Sequence, residues 1–234
     1  MSRWRKVVVV TIAVVVAMPI FYVGAIYASA WYHRWRAQQL LAVLKTVRPG
    51  MTTQAEYMRL VHPFEAVSEW LLVDNKALPG AISLSNRANW IEDLQNERLA
   101  RFDNLLSWRV IPPYVGLSVI PSFEGGVVSK LDIEEMTAVA GHPPGAFVHW
   151  DAQRFEGSDS RVFDGFSGYS RGQMGVVDQP PWEFFVTMDE RATPDERSRA
   201  LDIQFRCFTK VTGCLEAREY FQPAPKRTRL EDNR

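Results

Sequence analysis

The sequence lacks the motifs that identify most known chemistries. Its only two cysteines, Cys207 and Cys214, do not form a CxxC pair, which excludes the common zinc and thioredoxin-like patterns. It contains no Walker A, GxGxxG or HExxH sequence, so nucleotide and zinc-protease sites have no signature. Lys plus Arg equals Asp plus Glu at 27 each, so no field of one sign indicates nucleic acid binding. We therefore predict no cofactor, no metal ligand, no catalytic residue and no nucleic acid partner.

One stretch near the N-terminus also lacks charge altogether. Residues 7–30 contain no carboxylate, amine or guanidinium. As a helix rising 1.5 Å per residue this stretch would reach about 36 Å, which exceeds the roughly 30 Å of hydrocarbon in a bilayer. We predict a single transmembrane helix over 7–30, preceded by a basic flank over 1–6, with the lipid bilayer as its partner.

Two other interpretations of this stretch stay open. Arg3, Arg5 and Lys6 resemble the positive region of a signal peptide, and residues 28–30 fit a small-x-small cleavage site, in which case the protein would be secreted. The apolar run is nevertheless longer than the roughly 7 to 15 residues usual in such peptides. A buried core helix would have a polar face, and this stretch has none.

The orientation in the membrane rests on charge and on the cysteines. The two flanks of 7–30 carry similar positive charge, but a short basic tail before a first apolar helix usually stays in the cytosol. This places the bulk domain on the extracytoplasmic side. A disulfide between Cys207 and Cys214 would agree, because structural disulfides form in oxidising compartments. Two free core thiols in the cytosol are the alternative.

The rest of the chain is rich enough in apolar residues to fold. With 47% hydrophobic and 12% aromatic residues, wholesale disorder is excluded. We predict a juxtamembrane helix and a Pro-Gly break over 31–50, then one domain over 51–221. The Pro-containing, charged residues 222–234 are predicted to form a disordered tail.

Two kinds of periodicity predict an α+β domain with a mainly antiparallel sheet packed on one long helix. Apolar residues recur at threes and fours over 85–107, which indicates the helix. Thr53 and Thr193 have the pattern of N-caps that begin shorter helices. Strands are predicted at 69–73, 114–120, 127–133, 146–150, 182–188 and 201–207. The strict alternation over 201–207 is the clearest strand signal, and the residues around 152–181 are predicted to form a long loop.

Ser170 lies in the best motif match. The residues Gly168-Tyr169-Ser170-Arg171-Gly172 fit the G-x-S-x-G nucleophile elbow. That elbow requires a buried strand before the serine and a histidine later in the chain, whereas all four histidines come earlier. We interpret this segment as a flexible Gly/Ser loop.

Two further groups of titratable residues were considered. His142, His149 and Asp151 would need a further positioned ligand to form a metal site, and none is visible nearby. We interpret them as a loop histidine and as a strand histidine near a surface aspartate. The three carboxylates Asp132, Glu134 and Glu135 are interpreted as a solvated strand end that discourages edge pairing.

The anchor and the absence of a catalytic constellation together give the functional hypothesis. We predict a membrane-anchored, non-enzymatic interaction or scaffolding protein of the cell envelope, with a protein partner in the membrane or the envelope. The alternatives are an anchored hydrolase or metal-dependent enzyme that uses residues 142–181, and a secreted protein if the N-terminal segment is cleaved.

Overall fold

The structure is a computed structural model that describes residues 3–67, 72–73, 76–87, 110–138, 145–152, 162–167, 183–212, 214 and 219. Its helices are α1 (Arg3–Leu44), α2 (Gln54–Val61) and α3 (Pro194–Ala200), with 3-10 helices at His62–Val67 and Phe205–Phe208. Its strands are β1 (Leu72–Val73), β2 (Lys76–Ala77), β3 (Ile82–Ser85), β4 (Tyr114–Glu124), β5 (Val127–Ala138), β6 (Gly145–Asp151), β7 (Val162–Ser167) and β8 (Glu183–Met188).

Helix α1 contains the whole apolar run and continues beyond it. It has 42 residues, stays helical through Pro19, and is therefore about 63 Å long. Its apolar side chains are exposed in the first half, and the first buried one is Ile26. This confirms the prediction of one N-terminal helix that is long and apolar enough to cross a membrane. The predicted membrane helix and the predicted juxtamembrane helix are one continuous element.

Six strands form the main sheet in the order β3-β4-β5-β6-β8-β7. Neighbouring strands are antiparallel except β6 and β8, which are parallel. The β4–β5 hairpin turns through Gly125 and Gly126, whose φ angles of +59° and +80° suit the two-residue turn that matches strand twist. β1 and β2 pair separately as a short antiparallel ribbon.

One face of this sheet forms the core with the helical layer. The second half of α1, α2 and the two 3-10 helices cover it, and the buried side chains of β4 and β5 alternate along each strand. Apolar core side chains contributed by the helical layer include Ala37, Leu40, Leu41, Leu44, Tyr57, Val61, Phe64, Phe205 and Phe208. The architecture confirms the α+β class with a single long N-terminal helix.

Among the described residues, the long helix that packs on the sheet is α1. The sequence predicted such a helix over 85–107; Ser85 is the last residue of β3, and the remainder of that prediction from residue 88 lies outside the described residues. The predicted division at residue 50 also differs from the structure, because Leu40, Leu44 and Val47 belong to the main core. The segment 31–50 is therefore part of the folded domain. The predicted tail over 222–234 lies outside the described residues.

Local signals for short elements were mostly correct. Thr53 accepts a hydrogen bond from the Glu56 amide (3.2 Å) at the start of α2. Thr193 and Glu196 form a complete capping box at the start of α3. The strands predicted at 114–120, 127–133, 146–150 and 182–188 are confirmed, with residue 182 outside the description. Of 69–73, the structure describes only Leu72–Val73, which form β1.

Two predictions were wrong. Residues 201–207 have the predicted alternating burial, but they form a turn, an isolated bridge residue and the 3-10 helix instead of a strand. This segment packs between α1 and β4, so one side is buried, but no strand among the described residues lies beside it to complete a ladder. The predicted loop over 152–181 contains β7, which pairs with β8 through Val162–Ser167. The polar composition of residues 152–181 predicted a loop, although part of this segment forms the edge strand β7.

Candidate functional site

Four titratable side chains lie close together on the outer face of β5 and β6. We call Lys130, Asp132, His149 and Asp151 the outer-face cluster. The strand register pairs Asp132 with His149 and Lys130 with Asp151. The His149 Nδ1 atom contacts Asp132 Oδ1, and its Nε2 atom lies 3.8 Å from Asp151 Oδ2. Lys130 Nζ lies 3.3 Å from the same Asp151 oxygen. The structure thus brings His149 and Asp151 together as the sequence suggested.

The chemistry of the outer-face cluster is that of a cross-strand ion-pair network. The hydrogen bond to Asp132 raises the pKa of His149, and partial burial opposes this effect. Because a carboxylate lies near each ring nitrogen, the ring is stabilised as a cation, the form that cannot accept a further proton. Among the residues that the structure describes, no group of three or more His, Cys, Asp or Glu side chains is arranged to hold a metal ion.

Glu135 is the most unusual ionisable residue of the described chain. Its carboxyl group is fully buried, and neither oxygen has a hydrogen-bond partner among the residues that the structure describes. Burial raises the pKa of Glu135 well above its usual range, while the Arg34 guanidinium of α1 acts in the opposite direction. Burial disfavours the charged form of this carboxyl group, since an unpaired buried charge is costly.

The prediction of a solvated strand end is wrong for Glu135. Asp132 and Glu134 are partly exposed and share the outer face, whereas Glu135 follows Leu131 and Ile133 onto the core face. The period of two along β5 was visible in the sequence and could have located this buried carboxyl. Side-chain type alone suggested exposure because carboxylates are rarely buried without a partner.

The junction between α1 and the domain lies inside the apolar run. Ile26 of α1 and Ile111 are both fully buried against each other, with Tyr22 and Val23 partly buried beside them. The Tyr27 hydroxyl donates a hydrogen bond to the carbonyl of Val110 (3.0 Å). We call these contacts the helix junction. These contacts join the domain to α1 several residues before the apolar run ends at Ala30.

Further contacts continue the attachment along the helix. Ala30 and His33 are buried, and Arg34 Nη1 donates to Thr209 Oγ1 (3.2 Å). From the helix junction to Leu44, one side of α1 is thus in contact with the domain. A helix held along about 30 Å of its length behaves as part of the domain and not as a flexible tether.

The two cysteines are bonded to each other. Cys207 in the second 3-10 helix and Cys214 are both buried, and their Cα atoms lie 5.1 Å apart. The bond closes a short loop next to the packed half of α1, because the 3-10 helix contacts that helix. His142, Ser170 and the glycines around it lie outside the described residues.

Comparisons of the chain with protein-family models, with curated proteins and with solved structures find no match. Function is therefore inferred from geometry. Three features could bear on function: the outer-face cluster, Glu135 and the helix junction. Among the described residues, the outer-face cluster and Glu135 have no neighbour that would complete a catalytic group with them. The helix junction fixes the position of the domain relative to the apolar run of α1.

Proposed function

We propose that the protein is a membrane-anchored, non-enzymatic interaction or scaffolding protein of the cell envelope, with its domain on the extracytoplasmic side. One observation carries this proposal: the helix that can cross the membrane is also a core helix of the domain. A protein that needs only to be near a membrane can use a flexible linker. Building the anchor into the core sets the height and direction of the domain, which matter when it docks onto another membrane component.

The disulfide supports the proposed side of the membrane. Cys207 and Cys214 are bonded, and such bonds persist in oxidising compartments outside the cytosol. The helix junction favours a retained anchor over a cleaved signal peptide. Cleavage after Ala30 would remove Ile26 and Tyr27, and it would leave the buried Ile111 uncovered.

The enzymatic alternative has weaker support. It would use residues 142–181, of which the structure describes 145–152 and 162–167. Within that part, His149 is engaged by carboxylates at both nitrogens, as described above. An interaction role requires no reactive group and agrees with the rigid attachment.

The test is site-specific photo-crosslinking in intact cells of the source organism, with the crosslinker at exposed domain positions. Three forms of the full chain are compared: the natural chain, a chain with a Gly-Ser-Gly-Ser insert after Ala30, and a chain with the same insert after Arg5. The first insert uncouples the anchor from the domain. The second leaves α1 and the domain in their natural relation and serves as the matched control.

The proposal expects one recurrent membrane or envelope partner, crosslinked by the natural chain and by the Arg5 insert but lost with the Ala30 insert. Absence of any recurrent partner in all three forms would contradict it. Turnover of an ester or peptide panel by the purified full chain, abolished by His149→Ala, would establish the enzymatic alternative instead.

Sidedness is tested separately. A compartment-dependent reporter at the C-terminus shows on which side of the membrane the domain lies. The mass of the mature chain shows whether the N-terminal segment is retained. We expect an exported reporter on a chain with its N-terminal segment intact. A mature chain that begins at Trp31 would identify a secreted protein, and a cytosolic reporter would reverse the proposed orientation.

A further inference from the structure

Three aromatic side chains stand exposed on α1 just beyond the apolar run. Trp31, Tyr32 and Trp35 have 58%, 47% and 52% of their surface exposed, and the rings of Tyr32 and Trp35 lie 6.1 Å apart. We call them the aromatic patch. At 100° per residue, Trp31 and Trp35 lie roughly 140° to 180° around the helix from Ile26. The patch is therefore on the side of α1 that faces away from the domain.

Two arginines lie beside the aromatic patch. Arg34 lies 5.0 Å from the Trp31 ring centroid, and Arg36, on the same helical turn, packs over the ring of Phe64. Burial lowers the pKa of Arg34, the nearby Arg206 lowers it further, and Glu135 acts in the opposite direction. The sequence has no acid between residue 31 and Glu56. Aromatic rings beside cations are the composition that favours the phosphate layer of a membrane.

The domain covers one side of α1 from an earlier residue than the residues at which the aromatic patch lies on the other side. On the domain side, contact with the protein begins at Tyr22, so an upright helix would have only residues 7–21, about 22 Å, free for a hydrocarbon layer of roughly 30 Å. On the opposite side the helix is free of the domain past Trp35. An upright helix would thus immerse the helix junction while holding Trp35 well above the headgroups.

A tilt removes this conflict. A run of about 36 Å fits roughly 30 Å of hydrocarbon when it is inclined by about 34°. At that inclination a helix about 10 Å wide leaves the hydrocarbon about 7 Å earlier on its upper side than on its lower side, a difference of roughly five residues. This offset has the sign of the difference between the helix junction and the aromatic patch, and it is more than half of that difference of roughly eight residues.

We propose that the aromatic patch rests in the phospholipid headgroup layer of the bilayer that α1 spans, so that α1 crosses at a tilt with the domain on its upper side. A second copy of the chain is a poorer occupant, because it would oppose Arg34 and Arg36 with the same cations. This inference rests on the proposed function only through the statement that α1 spans the bilayer.

The experiment uses spin labels on the full chain in vesicles of phosphatidylcholine with phosphatidylglycerol. Both native cysteines are bonded, so one introduced thiol can be labelled at a time. Labels are placed at Trp35→Cys in the patch, Val110→Cys at the helix junction, Ile12→Cys in the run and Ala42→Cys farther along the patch side. Relative collision rates with oxygen and with a water-soluble nickel chelate report the depth of each label.

The proposal expects the labels at 35 and 110 at the same depth within a few ångströms, the label at 12 in hydrocarbon and the label at 42 in water. An upright helix would place the label at 110 deeper than that at 35 by about 12 Å, which overturns the proposal. Spin–spin broadening at 35 that disappears on dilution with unlabelled chain would assign the patch to a second copy. A label at 12 in water would instead overturn the membrane span.

A second measurement keeps the proposal testable if Trp35→Cys itself alters the anchor. Oriented-bilayer nuclear magnetic resonance of chain labelled with ¹⁵N-valine reports the tilt of α1 directly, since the first half of α1 is rich in valine. We expect a tilt of roughly 30° to 35°, reduced when Trp31 and Trp35 are both replaced by alanine and unchanged in Met51→Ala, which removes an exposed apolar side chain elsewhere. A tilt under about 10° in the natural chain would contradict the proposal.

Discussion

The two halves of α1 have the same backbone conformation and opposite surroundings. Before Tyr22 the side chains are exposed all round the helix, and from Ile26 onward one side is buried in the domain. The sequence difference is the polar face: the second half carries Arg34, Gln38 and Gln39, and the residues from 7 to 21 carry no charge. Both halves are rich in hydrophobic residues, so hydrophobic content does not distinguish them. The polar face does: a core helix has one, and a helix suited to lipid has none.

The two halves are also mechanically one piece. Since α1 does not break between them, a displacement of the packed half also displaces the apolar half. The following substitutions test whether the halves are independent in stability, although continuous in structure.

Leu40→Ala tests the packed half. Leu40 is fully buried in the main core, so the substitution should lower the free energy of unfolding by about 2 to 5 kcal/mol. Urea unfolding of the full chain in detergent micelles measures this change. Ile12→Ala, in the exposed half, is the control and should leave the domain's midpoint unchanged. Equal effects of the two substitutions would show that the halves do not differ as described.

Val15→Lys tests the exposed half. A lysine near the centre of a membrane helix costs roughly 2.5 to 3.5 kcal/mol of insertion free energy. We expect a lower fraction of membrane-inserted chain, measured by carbonate extraction, with the domain still folded. Ala42→Lys, which adds the same charge on the exposed side of the packed half, should have no such effect. Unchanged extraction of Val15→Lys would argue against a membrane span.

Replacing both cysteines by serine tests how much the disulfide next to the packed half of α1 stabilises the domain. The bond between Cys207 and Cys214 closes a short loop, and its removal should cost on the order of 2 to 3 kcal/mol of unfolding free energy. The double variant is compared with the natural chain under reducing and oxidising conditions. If a reductant lowers the stability of the natural chain but not that of the double variant, the bond is the cause. Insensitivity of the natural chain to reductant would contradict the prediction.

Substitutions of Glu135 test the contact between the packed half of α1 and the sheet. Its pKa is raised in the folded state, so the folded chain binds more protons than the unfolded chain, and stability should fall as the pH rises through the folded-state pKa. Glu135→Gln should remove this pH dependence. Glu135→Met should also raise the unfolding free energy at neutral pH by about 1 to 3 kcal/mol, because no unpaired polar group remains. Urea midpoints across the pH range measure both effects, and an unaltered slope in both variants would contradict them.

Tyr27→Phe tests the boundary between the halves. The substitution removes only the hydrogen bond to the Val110 carbonyl, so about 0.5 to 1.5 kcal/mol of unfolding free energy should be lost. Hydrogen exchange near Val110 should increase in the same variant. Tyr32→Phe on the opposite side of the helix is the control. Equal exchange in both variants would mean that the helix junction does not hold the domain.

Local patterns in the sequence predicted local structure well. The caps at Thr53 and Thr193 and the strands at 114–120 and 127–133 depend on neighbouring residues, and they formed as predicted. The alternation over 201–207 correctly predicted which side chains are buried. It failed as a strand prediction because burial of one side requires only a packing surface, whereas a strand requires a hydrogen-bonding neighbour.

From the sequence alone come the uncharged run that is long enough to cross a membrane, the α+β class of the domain after it, and four strands of the main sheet. These properties depend on residues within a few positions of one another. The contacts between distant parts of the chain could not be predicted in this way: α1 packs beneath the sheet, Glu135 lies near Arg34, and the domain contacts α1 inside the apolar run. The last two join residues about 80 or more positions apart, and no local pattern specifies such contacts.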